Sequence, residues 1–249
     1  FTVDGIVVKT SVTGESDLIA WILTRDRGVV RAFAKGARNT KSRLHGAVSQ
    51  FSYGTFTFFE NKDVYTVSEA VLSESFFELR TDFFSLTLAQ YFCEIVIKCV
   101  EENADSEDYL RLFLNCIYFL CGCKKPYLQI KAVFELRFAC IAGYAPMLVG
   151  CDECGEFETS EMYFDCASGK LFCSSCGKNR ALPSIPAAGV SVMRHIVFSK
   201  FSSVFSFNAV PDVLKAVSRL TQQYLQNSLQ QSFKVLDYLT DVGFDAEKV

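Results

Sequence analysis

Two pairs of cysteines constrain the fold of this chain more than any other feature. Cys151 and Cys154 form one Cys-x-x-Cys pair, Cys173 and Cys176 form a second, and eighteen residues separate the two pairs. This arrangement is typical of the ligand set of a tetrahedral structural zinc site. Because four thiolates complete such a site, the sequence predicts one structural Zn²⁺ held by these side chains.

The residues around the pairs predict a zinc ribbon. Gly155 and Gly177 follow the two pairs. Glycine adopts positive φ without a Cβ clash, which allows a tight turn with backbone N–H groups pointing at the thiolates. Residues 161–165 and 170–172 flank a turn and predict a β-hairpin. Cys166 lies outside the ligand spacing, so we interpret it as a hairpin residue.

Other roles for the four cysteines are disfavoured. A thioredoxin-like pair would follow a strand of a βαβ unit, and neither pair has that context. A catalytic zinc site usually includes a His or carboxylate ligand. Only His45 and His195 are present, and neither lies in a His-x-Glu or His-Glu-x-x-His sequence, which excludes zinc deaminases and common metalloproteases. We therefore expect a metal that stabilises the fold and does no chemistry.

The composition indicates a globular protein with room for two or three small domains. The chain has 249 residues, of which 50% are hydrophobic and 24 are phenylalanine. Six of the 11 cysteines lie on apolar, helix-patterned stretches, where a free thiol behaves as a small hydrophobe. They are Cys93, Cys99, Cys116, Cys121, Cys123 and Cys140. A thiolate zinc site favours a reducing compartment, and neither a signal-peptide pattern nor a run of 18 apolar residues is found. We expect a cytoplasmic protein without a membrane span.

Positive charge is concentrated at the start of the chain, although the formal net charge is -3. The first 50 residues contain eight Lys and Arg against four Asp and Glu, so the rest of the chain is acidic. Such an asymmetry is expected when one domain binds a polyanion.

The apolar periodicity predicts an α+β multidomain architecture. Five strand-patterned stretches occupy residues 2–10, 18–24, 29–34, 51–60 and 64–67, which favours a closed OB-fold barrel over residues 1–75. The period then changes to 3.6 residues and predicts helices over 83–99, 106–122, 126–142, 187–198 and 212–231, with a last turn at 236–239. Ser106 is the predicted N-cap of the second helix. We expect an OB-fold at 1–75, a helical domain at 76–148 and 181–249, and an inserted zinc ribbon at 149–180.

A basic segment lies between the third and fourth predicted strands, at residues 35–46. It contains Lys35, Arg38, Lys41 and Arg43 and no acidic residue, so we expect a loop or short helix on the barrel. Cations with small neighbours can approach a phosphate backbone closely, and each neutralised phosphate releases counterions. A solvated surface loop without a ligand is the alternative.

The aromatic residues of the fourth and fifth strands have two possible roles. Bases stack on aromatic side chains of an OB-fold, but alternate residues of a barrel strand point inward. We expect most of this set in the core: Phe51, Tyr53, Phe56, Phe58, Phe59 and Tyr65. Tyr53, and Trp21 in the second strand, are the better candidates for exposure.

No active-site motif is found. The chain has neither a phosphate-binding loop nor a dinucleotide-binding glycine motif, and no nucleophile elbow. Asp105 and Asp108 fit a capping role at a helix start, and His195 fits the edge of an apolar helix. We expect no enzymatic activity and no small-molecule substrate.

Taken together, these segments resemble the bacterial RecO family of DNA repair proteins over essentially the whole chain. The resemblance rests on Val7-Val-Lys-Thr, Gly14-Glu-Ser-Asp-Leu-Ile, Thr24-Arg-Asp-Arg-Gly-Val-Val, Lys35-Gly-Ala-Arg, Ser68-Glu-Ala-Val-Leu-Ser-Glu-Ser and the four-cysteine ribbon. It implies a recombination mediator that binds single- and double-stranded DNA and anneals complementary strands. With RecR, such a protein helps to load RecA onto DNA coated by the single-stranded-DNA-binding protein SSB, whose acidic C-terminal tail binds the helical domain.

Carried onto this chain, the resemblance implies that basic residues of the barrel contact DNA phosphates, in a cytoplasmic, nucleoid-associated protein. The expected contacts are Lys35, Arg38, Lys41, Arg43, Arg31 and Lys9. The acidic helical half confines these contacts largely to the barrel. The alternative is a non-enzymatic protein-interaction adaptor with a structural zinc ribbon, in which the basic segment is incidental.

Overall fold

The computed structural model describes residues 1–62, 64–241 and 244. The chain divides into two compact units, residues 1–122 and residues 123–249. The first unit contains a barrel and two helices, and the second contains further helices and a small sheet. The assignment of 76–148 and 181–249 to one helical domain, and of 149–180 to the ribbon, stays a prediction.

A closed five-stranded barrel forms most of the first unit. Its strands are β1 Thr2–Thr13, β2 Asp17–Thr24, β3 Val29–Ala34, β4 Ser52–Asn61 and β5 Val64–Ser75. They follow one another around the barrel in the order β1-β2-β3-β5-β4, and β4 pairs with β1 to close it. Neighbouring strands are antiparallel except β3 and β5, where Ala32 lies beside Tyr65 in a parallel pair. The predicted OB-fold barrel is confirmed, with β1 and β5 longer than the sequence pattern indicated.

Strand alternation explains which aromatic residues fill the barrel. Phe56 and Phe58 are 1% and 3% exposed and point inward, and Phe51 and Tyr65 are buried as expected. Phe59 is 62% exposed, so its predicted core position is wrong. Phe58 and Phe59 are consecutive residues of one strand, and consecutive side chains point to opposite faces.

Two helices complete the first unit. A 3-10 turn at Phe77–Thr81 leads into α1, Phe83–Cys99, and α2 spans Glu107–Leu120. The Asp82 side chain accepts a hydrogen bond from the Ser85 N–H at 2.7 Å and caps α1. Both helices lie where the 3.6-residue period predicted them.

Ser106 is the N-cap residue of α2, as predicted, but its side chain makes no capping hydrogen bond within the helix. Its hydroxyl instead accepts a hydrogen bond from the Gly28 N–H at 2.9 Å and donates one to the Thr24 carbonyl at 2.7 Å. The side chain therefore ties the start of α2 to the turn between β2 and β3. A local N-cap and this long-range contact require the same residue type, so the sequence could not distinguish them.

The second unit is built around one buried helix. Its helices are α3 Tyr127–Ile141, α4 Ser174–Gly177, α5 Ala187–Phe198, α6 Pro211–Leu229 and α7 Lys234–Asp241. Twelve residues of α3 are buried, because α5 and α6 pack against it. Two of the buried residues, Lys131 and Glu135, form an ion pair with a 2.9 Å N–O distance. None of the helices in the described part of the chain is long and apolar enough to span a membrane.

A four-stranded sheet carries the two cysteine pairs. Its strands are β6 Met147–Cys151, β7 Glu161–Asp165, β8 Lys170–Cys173 and β9 Ser184–Pro186, in the order β6-β8-β7-β9. The predicted hairpin is the antiparallel pair β7 and β8. Cys166 follows β7 and is buried, with its sulfur 3.8 Å from the Leu220 carbonyl oxygen.

Candidate nucleic-acid interface and metal centre

The basic segment, residues 35–46, is anchored to the barrel by apolar side chains. Ala37 and Leu44 are buried in the same cluster as the barrel core, and Val48 joins them just beyond the segment. These contacts hold the backbone against the barrel, although the segment forms consecutive turns with no regular helix. Apolar residues spaced along a cationic stretch leave the charged side chains on the outside.

Side chains of the segment and its neighbours stabilise these turns. The Lys41 N–H donates to Asn39 Oδ1 at 3.0 Å, and the Leu44 N–H donates to Ser42 Oγ at 3.2 Å. The Arg38 N–H donates to the Ser16 carbonyl at 3.0 Å. The small polar residues between the cations therefore act as turn formers, and the last bond fixes the segment to the β1–β2 turn.

The four cations of the segment are exposed, and none forms an ion pair within 4.0 Å with a described residue. The Arg38 guanidinium donates to the Glu15 carbonyl at 2.8 Å. Asp17 lies nearby, and its pKa is lowered by hydrogen bonds from the Gly36 N–H and the Ser16 hydroxyl and by the charge of Lys35. Lys35 therefore has an acidic neighbour that the segment alone does not reveal. Lys41 and Arg43 are exposed, and no carboxylate of a described residue lies within 4.0 Å of either.

Lys9 and Arg31 lie on the outer surface of the barrel, away from the basic segment in sequence. Strand pairing places Lys9 beside Trp21, and Trp21 beside Arg31. The Lys9 Nζ atom is 4.9 Å and the Arg31 Cζ atom 5.6 Å from the centre of the Trp21 ring. The sequence singled out each of the three residues, but not their adjacency, which depends on the register of three strands.

The four cysteines of the ribbon lie together, as their spacing predicted. Their sulfur atoms all lie within 4.8 Å of one another. Zinc–sulfur bonds of about 2.3 Å in a tetrahedron would place the sulfurs about 3.8 Å apart. The Cys154 and Cys173 sulfurs are 3.6 Å apart, close to that value. The donor set and its dimensions fit one metal ion held by thiolates.

The backbone around these sulfurs favours thiolates. Burial raises the pKa of the Cys151 thiol, but N–H groups including those of Cys154 and Cys173 lower it to about 6. The pKa of Cys176 is raised by its hydrogen bonds with the sulfurs of Cys173 and Cys154. Four thiolates this close repel one another unless a cation lies among them. A divalent metal ion would remove that repulsion.

Two glycines of the ribbon have different roles. Gly155 has a φ of +76°, and its N–H donates to the Cys151 carbonyl at 2.9 Å, which is the tight turn predicted from the sequence. Gly177 ends α4 and has no such positive φ, so the same prediction is wrong there. A Cβ atom at Gly177 would lie 2.6 Å from the ring of Tyr163, so close packing explains this glycine.

Comparisons with known proteins identify the family of this chain. A family model described as Recombination protein O N terminal matches residues 1–76, and one described as Recombination protein O C terminal matches residues 80–237. A DNA repair protein RecO of Acetivibrio thermocellus is 36% identical over 236 residues, which cover 94% of each chain. RecO proteins of Alkaliphilus metalliredigens and a Thermoanaerobacter species are each 27% identical, over 92% and 96% of this chain and 93% and 96% of their own. Since the two family models together span nearly the whole sequence, the chain belongs to the RecO family of DNA repair and recombination proteins.

Proposed function

We propose that this chain is a recombination mediator that binds single- and double-stranded DNA through the outer surface of its barrel. The observation that supports this most is the basic segment, whose cations face outward from an anchored backbone. Lys41 and Arg43 have no carboxylate partner among the described residues, so their charge is available to a ligand. Each phosphate that they neutralise would release condensed counterions, which favours binding of any DNA sequence.

Such a surface suits strand annealing. Annealing requires that two phosphate backbones be neutralised while the base edges stay free to pair. Cations on turns contact phosphates without reading bases, so this step needs no nucleotide hydrolysis and no catalytic residue. Membership of the RecO family supports the further proposal that the protein acts with RecR and the SSB tail to load RecA. A cytoplasmic, nucleoid-associated location follows from that role.

We further propose that the cysteine cluster holds one zinc ion with a structural role. Thiolate donors are preferred by zinc, and a site with four protein ligands leaves no open position for a substrate. The ion would join the turn after β6, where the first cysteine pair lies, to the end of β8, where the second pair begins.

The salt dependence of DNA binding tests the proposed interface. Lys41→Ala/Arg43→Ala removes two exposed cations without touching the buried anchors Ala37 and Leu44. The slope of log K against log salt should become shallower by about 1.8 for duplex and about 1.4 for single-stranded DNA. Fluorescence anisotropy of labelled oligonucleotides at several salt concentrations measures both slopes. The loss should be the same for unrelated sequences of equal length.

A matched control removes the same charge elsewhere. Lys178→Ala/Arg219→Ala deletes two exposed cations of the second unit, and we expect its slopes to equal those of the wild-type protein. Unchanged slopes in the Lys41/Arg43 variant would refute the interface. Absence of DNA binding by the wild-type protein would instead favour the protein-interaction adaptor.

A further inference from the structure

Trp21 lies between two cations on the outer surface of the barrel. Cross-strand pairing with Lys9 on one side and Arg31 on the other produces a row across β1, β2 and β3. Lys9 and Arg31 are exposed, and Trp21 is half-buried. Within residues 1–62 and the rest of the described chain, neither cation has a carboxylate within 4.0 Å. The Trp21 ring is therefore the main close partner of both cations. Because Trp21 lies on the outer surface, the barrel core does not require an aromatic residue at this position.

Exposed aromatic residues continue the surface beside this row. Phe33 is two residues beyond Arg31 on β3, so the two rows are about 7 Å apart. Phe33 is 36% exposed and pairs with Ile19 on one side and Thr66 on the other. Thr66 in turn pairs with Phe59, which is 62% exposed. Large apolar side chains on the outside of a barrel whose interior is filled indicate a contact surface.

The same surface leads to the basic segment. Two residues beyond Phe33 on the chain is Lys35, where the segment begins. One aromatic ring, Phe33, thus lies between Arg31 on β3 and Lys35 just beyond the strand. A polyanion that carries flat, unpaired rings matches this pattern, because cations bind its phosphates and aromatic faces bind its bases.

We propose that Trp21 and Phe33 form a stacking surface for unpaired nucleic-acid bases, with Lys9 and Arg31 binding phosphates of the same strand. This inference rests on the proposed DNA-binding function and adds to it a site that distinguishes single strands from duplex. The bases of a duplex are already stacked on one another and offer no free face, so duplex binds through the basic segment alone. Single strands use both the basic segment and the stacking surface.

The two cations must leave the ring before a base can stack on it. When a base stacks on Trp21, the flexible Lys9 side chain and the Arg31 guanidinium move to phosphates of the same strand. The ring therefore becomes available to a base when a single strand supplies anionic partners for both cations.

Trp21 itself reports on this event, because it is the only tryptophan in the chain. We expect a thymidine 30-mer to quench its fluorescence as the complex forms. A blunt duplex of 30 base pairs, titrated to the same occupancy, should leave the fluorescence nearly unchanged. A 30-residue abasic oligomer carries the same phosphates without bases, and we expect it to bind more weakly than the thymidine 30-mer and to quench little.

Variants separate stacking from charge. Trp21→Ala should weaken binding of the thymidine 30-mer by about 5- to 150-fold for each base that loses its platform. Binding of the duplex and of the abasic oligomer should stay within about twofold, which also shows that the barrel is folded. Trp21→Phe keeps an aromatic face and should restore most of the affinity, and Phe33→Ala should show a smaller loss with the same selectivity.

Two results would overturn this inference. One is equal weakening of all three ligands by Trp21→Ala and Phe33→Ala, and the other is quenching of Trp21 to the same extent by duplex and single strand. Either result leaves the proposed DNA-binding function standing if the Lys41→Ala/Arg43→Ala variant still flattens the salt dependence. If that variant leaves the salt dependence unchanged, the proposed function is itself refuted. Anisotropy with the three ligands then shows whether the protein binds any DNA.

Discussion

The ion pair between Lys131 and Glu135 is the feature of the second unit whose removal should cost most. Their side chains are 1% and 0% exposed, with the N–O distance at 2.9 Å. The Lys131 ammonium also donates to Gln222 Oε1 at 3.0 Å and to Ser218 Oγ at 3.2 Å. The Glu135 carboxylate accepts from the Thr221 hydroxyl at 2.7 Å. The network joins α3 to α6 through groups that are all hydrogen-bonded.

Removing one partner leaves the other charge in the core without its counter-ion. Lys131→Met keeps the length of the side chain but leaves the Glu135 carboxylate without the ammonium, and Glu135→Leu does the reverse. Breaking such a pair costs about 3–5 kcal/mol, whereas replacing both partners by apolar residues is often neutral. We therefore expect each single variant to lose about 3–5 kcal/mol and the double variant to recover most of that loss. The coupling energy should exceed about 2 kcal/mol.

Hydrogen exchange resolves the effect within the chain. Amides of α3 and α6 should exchange faster in each single variant and return towards wild-type rates in Lys131→Met/Glu135→Leu. Urea unfolding followed by circular dichroism measures how much of the free energy of unfolding each variant loses. An exposed pair with the same i,i+4 spacing, Glu107 and Arg111, provides the control. Glu107→Gln should cost less than about 1 kcal/mol. Additive losses in the double variant would show that burial, and not the pairing, determines the cost, and would refute the reasoning.

Two further predictions concern the metal centre and a turn of the barrel. Metal analysis should find about one zinc per chain in the wild-type protein and in Cys123→Ser, and much less in Cys154→Ser. The second unit of Cys154→Ser should also become sensitive to protease, while DNA binding by the barrel persists in part. A zinc-free wild-type protein would contradict the assignment. Gly28→Ala should lower the melting temperature more than Gly14→Ala, because both residues have positive φ but only at Gly28 would a Cβ atom overlap the Glu101 carbonyl. Equal melting temperatures would show that the first unit relaxes around that contact.

The features that the sequence predicted best are those fixed by short-range spacing. Four cysteines in two close pairs can form a tetrahedral site only if their turns meet, so the clustering of the four sulfurs followed from the pattern alone. The bounds of α5, Ala187–Phe198, were also predicted without error, because its apolar residues repeat at the helical period and proline precedes it. In both cases the information lies within a few turns of chain.

The features that were missed depend on contacts between distant residues. The hydroxyl of Ser106 binds the β2–β3 turn about 80 positions earlier in the chain, so the capping pattern gave the position of this residue but not the partners of its side chain. The buried pair Lys131–Glu135 has the i,i+4 spacing of an ordinary surface pair, and only the packing of α6 over it makes it a core feature. Phe59 follows an equally apolar neighbour, and the alternation of the whole β4 strand places Phe58, in phase with Phe56, inside the barrel and Phe59 outside.

The distribution of ion pairs explains why the two cationic parts of the chain should behave differently towards DNA. Around the four clustered cysteines, three cations are each held by a carboxylate: Lys170 by Asp152 at 2.9 Å, Arg180 by Glu153, and Arg194 by Glu158 at 3.3 Å. A phosphate that approached them would have to displace an acidic partner, so little counterion release would be gained. Lys41 and Arg43 have no such partner among the described residues and retain their full charge for a ligand. A net charge that is negative overall is therefore compatible with DNA binding, because the position of each cation and its pairing, and not the sum of charges, decide what a phosphate meets at the surface.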